Sequence, residues 1–336
     1  MAKRATLADV AQLSGLSPTT VSMVLNDRPN TRLSQDAAER VRAAAAKLNY
    51  RPNPAARGLR LGKTRTVGFI SDEVTITRYA SAMIRGLLEE AEERDHTVLI
   101  SESGRRADQI ANALDLMLDR QTDGIVFGLM GAKQIEVPTV TIEVPVVLVN
   151  GRSASGLPCV LPDEFRAGYA AARHLLDRGH RRIGFVGRSE ALLDPLLSVT
   201  IGERYAGLDA AMAEAGVTFA HQVDGRHWEP DFGYRGAQEI LDAVPVTAIV
   251  AANDRVAFGV YQAAQERGLR IPDDVSVISF DDEYLASYLR PQLTTVQIPY
   301  LEMGRTALRL VLDGHAPDQT LVPMPIQERF SVRDLR

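Results

Sequence analysis

Cysteine is all but missing from this chain: Cys159 is the one thiol in 336 residues, which excludes a disulfide framework and offers no metal site. The six histidines are scattered without the spacing that a metal ion needs. No apolar run approaches the roughly 20 residues that span a bilayer, and no charged start leads into an apolar leader. Neither a membrane protein nor an exported one is expected. Low-complexity tracts are absent. The last residues, around Ser331-Val332-Arg333, carry no leucine heptads, so a coiled-coil tail is not expected. Gly184-Phe185-Val186-Gly187 lacks the third glycine and the turn of a phosphate-binding loop. No nucleophile, base and orienting group stand in recognisable array, so neither an enzyme nor a cofactor is expected.

What the chain does have is concentrated at its start. Thr6 is placed to cap a short helix carrying Leu7, Val10 and Ala11 on one side, with Asp9 answering as in a capping box. Gly15 breaks that helix and permits a tight turn. Ser17 then caps a second helix, with Pro18 at its first position, where a missing N–H costs nothing. Val21, Val24 and Leu25 recur at helical spacing and face inward, leaving Thr19, Thr20, Ser22, Met23 and Asn26 outward. A short helix with a buried seam and a polar N-terminal tip suits a DNA major groove. A third helix fits Ser34 to Leu48, with Ala38, Val41, Ala45 and Leu48 as its buried stripe and Arg40, Arg42 and Lys47 on its wet faces.

The formal charge of −5 hides an asymmetry. Residues 1–65 hold twelve Lys and Arg against four Asp and Glu, a net of +8. Residues 66–336 hold twenty-six against thirty-nine, a net of −13. A basic module on an acidic body is the pattern of a nucleic-acid-binding head.

Next comes Tyr50-Arg51-Pro52-Asn53-Pro54-Ala55-Ala56-Arg57-Gly58-Leu59-Arg60, where Asn53 and Pro54 suit the start of a short helix. Together with Thr6 to Asn26, this segment resembles the lactose-repressor family of bacterial transcription regulators. The resemblance implies a hinge helix that enters the minor groove, with Leu59 as a wedge between base pairs and Ala56, Arg57 and Arg60 as neighbouring contacts. It extends DNA contact to Thr6, Ser17, Pro18, Thr19, Thr20, Ser22, Met23, Asn26, Arg32, Tyr50 and Asn53. One departure stands out. The family most often has a long polar or basic residue where this chain has Met23, and a thioether cannot donate to guanine but can pack on a thymine methyl.

From Thr66 the pattern changes to short apolar runs alternating with longer amphipathic stretches. Val67–Ile70, Val98–Ser101, Gly124–Phe127, Val146–Val149, Ile183–Val186, Ala248–Ala251 and Val275–Phe280 read as buried parallel strands. Arg78–Arg94, Ala107–Arg120, Arg166–Arg178, Arg204–Ala215, Asp231–Ala243 and Asp254–Arg267 read as helices between them. That alternation implies α/β doubly wound parallel sheets, and some 270 residues exceed one such core, so two lobes are expected with a ligand cleft between them. The body resembles the periplasmic sugar-receptor fold, most specifically in Ala251-Ala252-Asn253-Asp254-Arg255, Arg270-Ile271-Pro272-Asp273-Asp274-Val275 and Ser279-Phe280-Asp281-Asp282, with Arg178-Gly179-His180-Arg181-Arg182-Ile183 as a second run.

The resemblance implies three crossings between lobes and a final helix near Tyr300–Leu312. The expected organisation is a helix-turn-helix domain over 1–49, a hinge over 50–65 and a two-lobed effector domain over 66–336. Its first lobe would take about 66–161 plus 292–325, and its second about 162–291 plus a C-terminal strand. Effector-binding roles carry over to Arg204, Trp228, Asn253 and Asp281, and to Asn150, Asp163, Tyr79 and Asp72. Planar donors, a carboxylate and an aromatic face suit a polyhydroxylated sugar. The expected function is a cytoplasmic, homodimeric, sugar-responsive repressor of carbohydrate genes on a near-palindromic operator. The alternative, a sugar receptor serving a transporter, leaves the basic head without a role.

Gly58 sits inside the hinge segment, and glycine disfavours helix by roughly 1 kcal/mol relative to alanine. Gly58→Ala is therefore expected to tighten operator binding and blunt release by effector, read by DNA band shift. Equal or weaker binding would reject that role.

Overall fold

A computed structural model describes residues 5–25, 33–51, 62–73, 78–104, 106–138 and 143–336. Its contacts divide the chain into two units, one ending at Thr64 and the other beginning at Arg65.

In the first unit the described helices are α1 (Leu7–Ser14), α2 (Pro18–Leu25) and α3 (Gln35–Lys47). The start of α1 forms because Thr6 Oγ1 accepts from Asp9 N at 3.3 Å while Asp9 Oδ2 accepts from Thr6 N at 2.8 Å, satisfying two backbone donors that a helix end leaves open. Gly15 ends it at φ +69°, a conformation that costs glycine little. Ser17 Oγ accepts from Thr20 N at the start of α2, and Ser34 Oγ accepts from Ala37 N at the start of α3. Val10, Ala11, Val21, Val24, Val41, Ala44 and Ala45 close the core. Ala38 and Leu48, expected inside, sit at its rim, while Ala37 and Ala44 are buried.

The second unit holds two six-stranded sheets. The first lobe contains β1 (Thr66–Ser71), α4 (Arg78–Glu93), β2 (Thr97–Glu102), α5 (Ala107–Asp119), β3 (Gly124–Ile135), β4 (Val146–Ser153) and β5 (Cys159–Pro162). The second contains α6 (Glu164–Leu176), β6 (Ile183–Arg188), α7 (Ile201–Glu214), β7 (His221–Asp224), α8 (Pro230–Ala243), β8 (Ala248–Ala251), α9 (Asp254–Glu266), β9 (Ser276–Asp281), α10 (Tyr284–Tyr288) and β10 (Thr294–Gln297). The chain then returns to the first lobe with α11 (Tyr300–Asp313) and β11 (Gln319–Val322), and ends in the second with β12 (Ile326–Gln327). Strand orders are β11-β5-β4-β3-β1-β2 and β12-β10-β9-β8-β6-β7. Pairing is parallel throughout, except for β12 on β10. Strands such as β8 are buried at every position, as a sheet covered on both faces requires.

Three differences from the sequence reading have local causes. The second lobe extends through β10, past the expected change near residue 292, because Thr294 and Thr295 give no apolar run but pair by backbone with β9. The edge strand β7 was unread because only Val223 of its four residues is buried. Strand β3 runs to Ile135 rather than Phe127, with a register break between Gly128 and Lys133.

Three helix pairs cover the sheets, and each closes on glycine. In the pair α6 and α7, a Cβ on Gly207 would overlap the carbonyl oxygen of Phe165, and one on Gly168 would overlap that of Arg204. Gly86 with Gly304 does the same for α4 and α11, and Gly233 with Gly259 for α8 and α9. Gly207→Ala is expected to cost about 2 kcal/mol or more by overpacking, lowering the melting temperature by several degrees. Gly131→Ala, whose Cβ meets nothing within 4 Å, should leave stability within about 0.5 kcal/mol. Thermal unfolding of the two variants compares them directly.

Candidate functional site

On the first unit, the outward side of α2 is set by where its valines go. With Val21 and Val24 buried, Thr19, Ser22 and Met23 share the opposite side at i, i+3 and i+4. Thr19, Pro18 and Ser17 are exposed, and Ser22 and Met23 are half-buried. Thr20 differs from expectation: it is drawn half-inward, with its hydroxyl 2.9 Å from Ser17 Oγ. Thr6 is exposed and holds the α1 cap, while Tyr50 packs at the rim of the core. The expected DNA contacts at Asn26, Arg32, Asn53, Ala56, Arg57, Leu59 and Arg60 lie outside the described residues, as does Gly58.

In the second unit the centre of the candidate site is Arg204, almost wholly buried on α7. Its Nε and Nη2 each donate at 2.6 Å to the two carboxylate oxygens of Glu164, and Nη1 donates to the Ala252 carbonyl at 2.9 Å. Its guanidinium carbon stands 4.1 Å from the Phe280 ring centroid and 6.0 Å from that of Trp228. Burial works against the charge, and the bonded Glu164 carboxylate more than offsets it, so Arg204 is held above its ordinary range. Trp228 is anchored by Nε1 donating to the Gly225 carbonyl at 2.9 Å. Asn253 caps α9 through Oδ1 and donates from Nδ2 to the Trp228 carbonyl.

Other expected effector residues also meet partners inside the protein. Asp163 caps α6 by accepting from Arg166 N. Asn150, at φ +57°, donates to the Leu129 carbonyl. Asp72 accepts from Met130 N at 3.0 Å and pairs with Lys133 at 2.7 Å, holding the far end of β3. Tyr79 falls on α4, and its side chain lies outside the described residues. Asp281 alone among the described ones lines a cleft of about 430 Å³ between the lobes. There it meets Ser81 and Ala82 of α4, Tyr284 of α10, Gln297 at the end of β10, and Tyr300.

Two backbone bonds clasp the lobes near α7: Val199 N to Ala132 O at 2.6 Å and Gln134 N to Pro195 O at 2.8 Å. Val199 also packs against the first lobe's core.

Burial, opposed by the nearby Arg204 charge and helped by the Asp254, Glu283 and Glu164 carboxylates, pushes Asp281 up to about 8. Asp254 rises to about 7 through burial, although Ser279, Thr295 and the Glu283 N–H all donate to it. Glu164, Tyr284, Gln297 and Tyr300 escaped the sequence reading. Glu164 lies forty positions from Arg204, and no local pattern joins them.

An isolated buried guanidinium is costly, so Glu164→Ala is expected to destabilise by about 3–5 kcal/mol. Glu164→Leu with Arg204→Met should recover most of that in denaturant unfolding. A proton retained in the folded state stabilises it below the unfolded carboxyl range, and this contribution disappears as pH rises to about 8. Between pH 4.5 and 8.5, the wild type should lose stability relative to Asp281→Asn; a constant difference would reject the shifted carboxyl.

A model for bacterial regulatory proteins of the lacI family matches residues 6–53, and one for a periplasmic binding protein-like domain matches 172–332. Catabolite control protein A of Priestia megaterium is 34% identical, with 97% of this chain and 98% of that protein aligned. The HTH-type transcriptional repressor PurR of Erwinia tasmaniensis is 32% identical, over 98% of this chain and 97% of its own length. A lac repressor dimer bound to operator and the anti-inducer ONPF superposes with a TM-score of 0.78 at 25% identity, covering 98% of this chain and all of that one. The transcriptional regulator CelR in complex with cellobiose gives a TM-score of 0.65 at 26% identity, over 98% and 100%. The resemblance drawn from the opening helices and the two-lobed body is thereby borne out.

Proposed function

The chain belongs to the lacI family of bacterial regulatory proteins, and from that premise we propose that it is a homodimeric repressor of carbohydrate genes, acting in the cytoplasm on a near-palindromic operator and released or recruited by a small sugar. The observation that carries this reading is one chain with two separately folded units: a capped helix pair with an exposed polar tip, and a two-lobed body with a cleft at strand ends. Thr19, Ser22 and Met23 present the base-reading side, and the positive end of the α2 dipole favours a phosphate. The hinge from Asn53 to Arg60, with Leu59 as wedge, adds minor-groove contacts. The domain limits follow the same reading, with a DNA-binding head to residue 49, a hinge over 50–65 and an effector body beyond.

In the body, Asp281 meets the effector directly, while Arg204, Trp228 and Asn253 build the wall behind it. Asp72, Asn150 and Asp163 hold the neighbouring loops in place. The cellobiose bound to the related regulator CelR supports a carbohydrate effector. The effector leaves unchanged, because the protein binds it without turnover. Ligand acts on DNA affinity only in proportion to its preference for one conformation of the body.

Selection from a random duplex library should return a near-palindromic site. Band shifts should then weaken linearly in log affinity with log salt and respond to added sugars. Recovery of no preferred sequence would sink the proposal. Met23→Arg is expected to move the preference at one base in each half-site toward guanine by about tenfold, since a bidentate pair discriminates by roughly 1–3 kcal/mol. The same selection repeated on the variant reads it.

A further inference from the structure

The two backbone bonds near α7 tie together lobes that three chain crossings already join elsewhere. Those crossings leave β5, β10 and β11; β11 and β5 end the order of the first sheet, and β12 and β10 that of the second. The clasp instead joins β3, past its register break, to the segment after β6. Val199 carries it onto one face of the first sheet, where it packs with the cluster of Ile110, Leu114 and Met117. Ser81 and Ala82, which line the cleft, lie on α4, whose Met83 and Leu87 belong to the other cluster of that lobe. Successive residues of β1, Phe69 and Ile70, point into the two clusters, which therefore cover opposite faces. The clasp and the cleft lie toward different faces of one sheet.

Each half of the clasp is braced within its own lobe. In the first, Asp72 accepts from Met130 N at 3.0 Å and pairs with Lys133 at 2.7 Å, and Asn150 donates to the Leu129 carbonyl. Lys133 stands between Ala132 and Gln134, the two residues that reach across. In the second, the Asp194 carbonyl accepts from Leu197 N and Ser198 N, and Ser198 Oγ accepts from Thr200 N and Ile201 N at the start of α7. Leu193 to Leu197 are exposed at every position, so burial does not seat them.

We propose that the clasp is a latch: a fourth, non-covalent tie that holds the lobes together in the unliganded protein and opens as one unit. Val199 donates from the second lobe and Gln134 from the first, so the two bonds run in opposite directions between the same two segments and part together. Lys133 is the positioning residue. Its ammonium makes neither bond, yet it fixes the strand between them to Asp72, a carboxylate only 5% exposed. A carboxylate taken that far out of water depends strongly on its counter-ion. The chain passes from Val199 into α7 within two residues, so the latch also sets where Arg204 stands relative to the first lobe. A body held together in advance has less ordering left to undergo when ligand binds.

Hydrogen exchange of the full unliganded chain, read at single residues, tests this at the two amides that cross. Val199 and Gln134 are expected to show one common protection factor of about 100 or more, because a single opening exposes both. Lys133→Met leaves Asp72 without its cation and should speed both amides about tenfold or more, while Lys133→Arg, which keeps the charge, should restore the wild-type rates. Gln134→Pro removes the first-lobe donor, and Val199, whose own acceptor is untouched, should exchange faster with it. Amides of β8 report on the rest of the second lobe and should stay unchanged. Trp228, the only tryptophan, stands beside Gly187 and Asn253 at the ends of β6 and β8, so acrylamide quenching of its fluorescence reads access from the cleft side. Quenching should rise several-fold in Lys133→Met and in Gln134→Pro. Wild-type amides that exchange like unbonded ones overturn the latch. Different protection at the two sites, or a Val199 amide that neither variant moves, overturns its opening as a unit. Faster exchange with unchanged quenching overturns its hold on the lobes.

Discussion

A guanidinium removed from water must be given a counter-ion, and the second unit is arranged around that requirement. Arg204 and Glu164 are both almost fully buried, and their two parallel bonds join the first turn of α7 to the first residue of α6. The third bond, to the Ala252 carbonyl, reaches the end of β8. Glu164 directly follows the first crossing between lobes, so the pair ties that crossing to the cleft floor. Phe280, stacked against the guanidinium, brings Asp281 to the edge of the cleft. The placement of Asp281 follows from the pairing of residues that never touch the cleft.

The pair needs α6 and α7 very close together. Gly168 and Gly207 allow it, since each faces a carbonyl of the opposite helix at a distance no methyl group fits. The same solution recurs in the pairs α4–α11 and α8–α9. Helices held this closely behave as slabs on the sheet faces, and the places left to adjust are the crossings and the segment 194–199. That segment bonds to β3 of the other lobe and runs straight into α7. The clasp and the Arg204 half of the buried pair are therefore neighbours along one short stretch of chain. Such an arrangement gives a small ligand something to act on, because packed helices shift as units.

Legibility in the sequence followed the range of the forces involved. Thr6, Asp9, Gly15 and Ser17 announced their helix ends because a cap and its backbone partner are three or four residues apart. Strand β8 was read to the residue because a fully buried strand is a continuous apolar run. Strands β7 and β10 were not, since one is a half-polar edge and the other carries threonines that bond to Asp254 and to the Arg329 amide. In the candidate site, Asp281 was legible as a carboxylate closing a strand. Asn253 and Asp163 were legible as polar groups too, yet each meets its own helix start.

By itself, then, the sequence determined the class of the molecule: a basic helix-turn-helix head, a two-lobed α/β body and membership of a known regulator family. Periodicity, caps and charge split are local or compositional quantities, and a chain carries them whether folded or not. The tertiary structure alone decided which polar side chains face the cleft and which brace the frame. Arg204 looked like a ligand-gripping cation until Glu164, forty residues away, was found to hold it. Asp281 acquires its charge environment from Asp254, Glu164 and Glu283, which converge only on folding. Electrostatic partners in a low-dielectric interior are chosen by distance in space, and the order of residues along the chain does not record that distance.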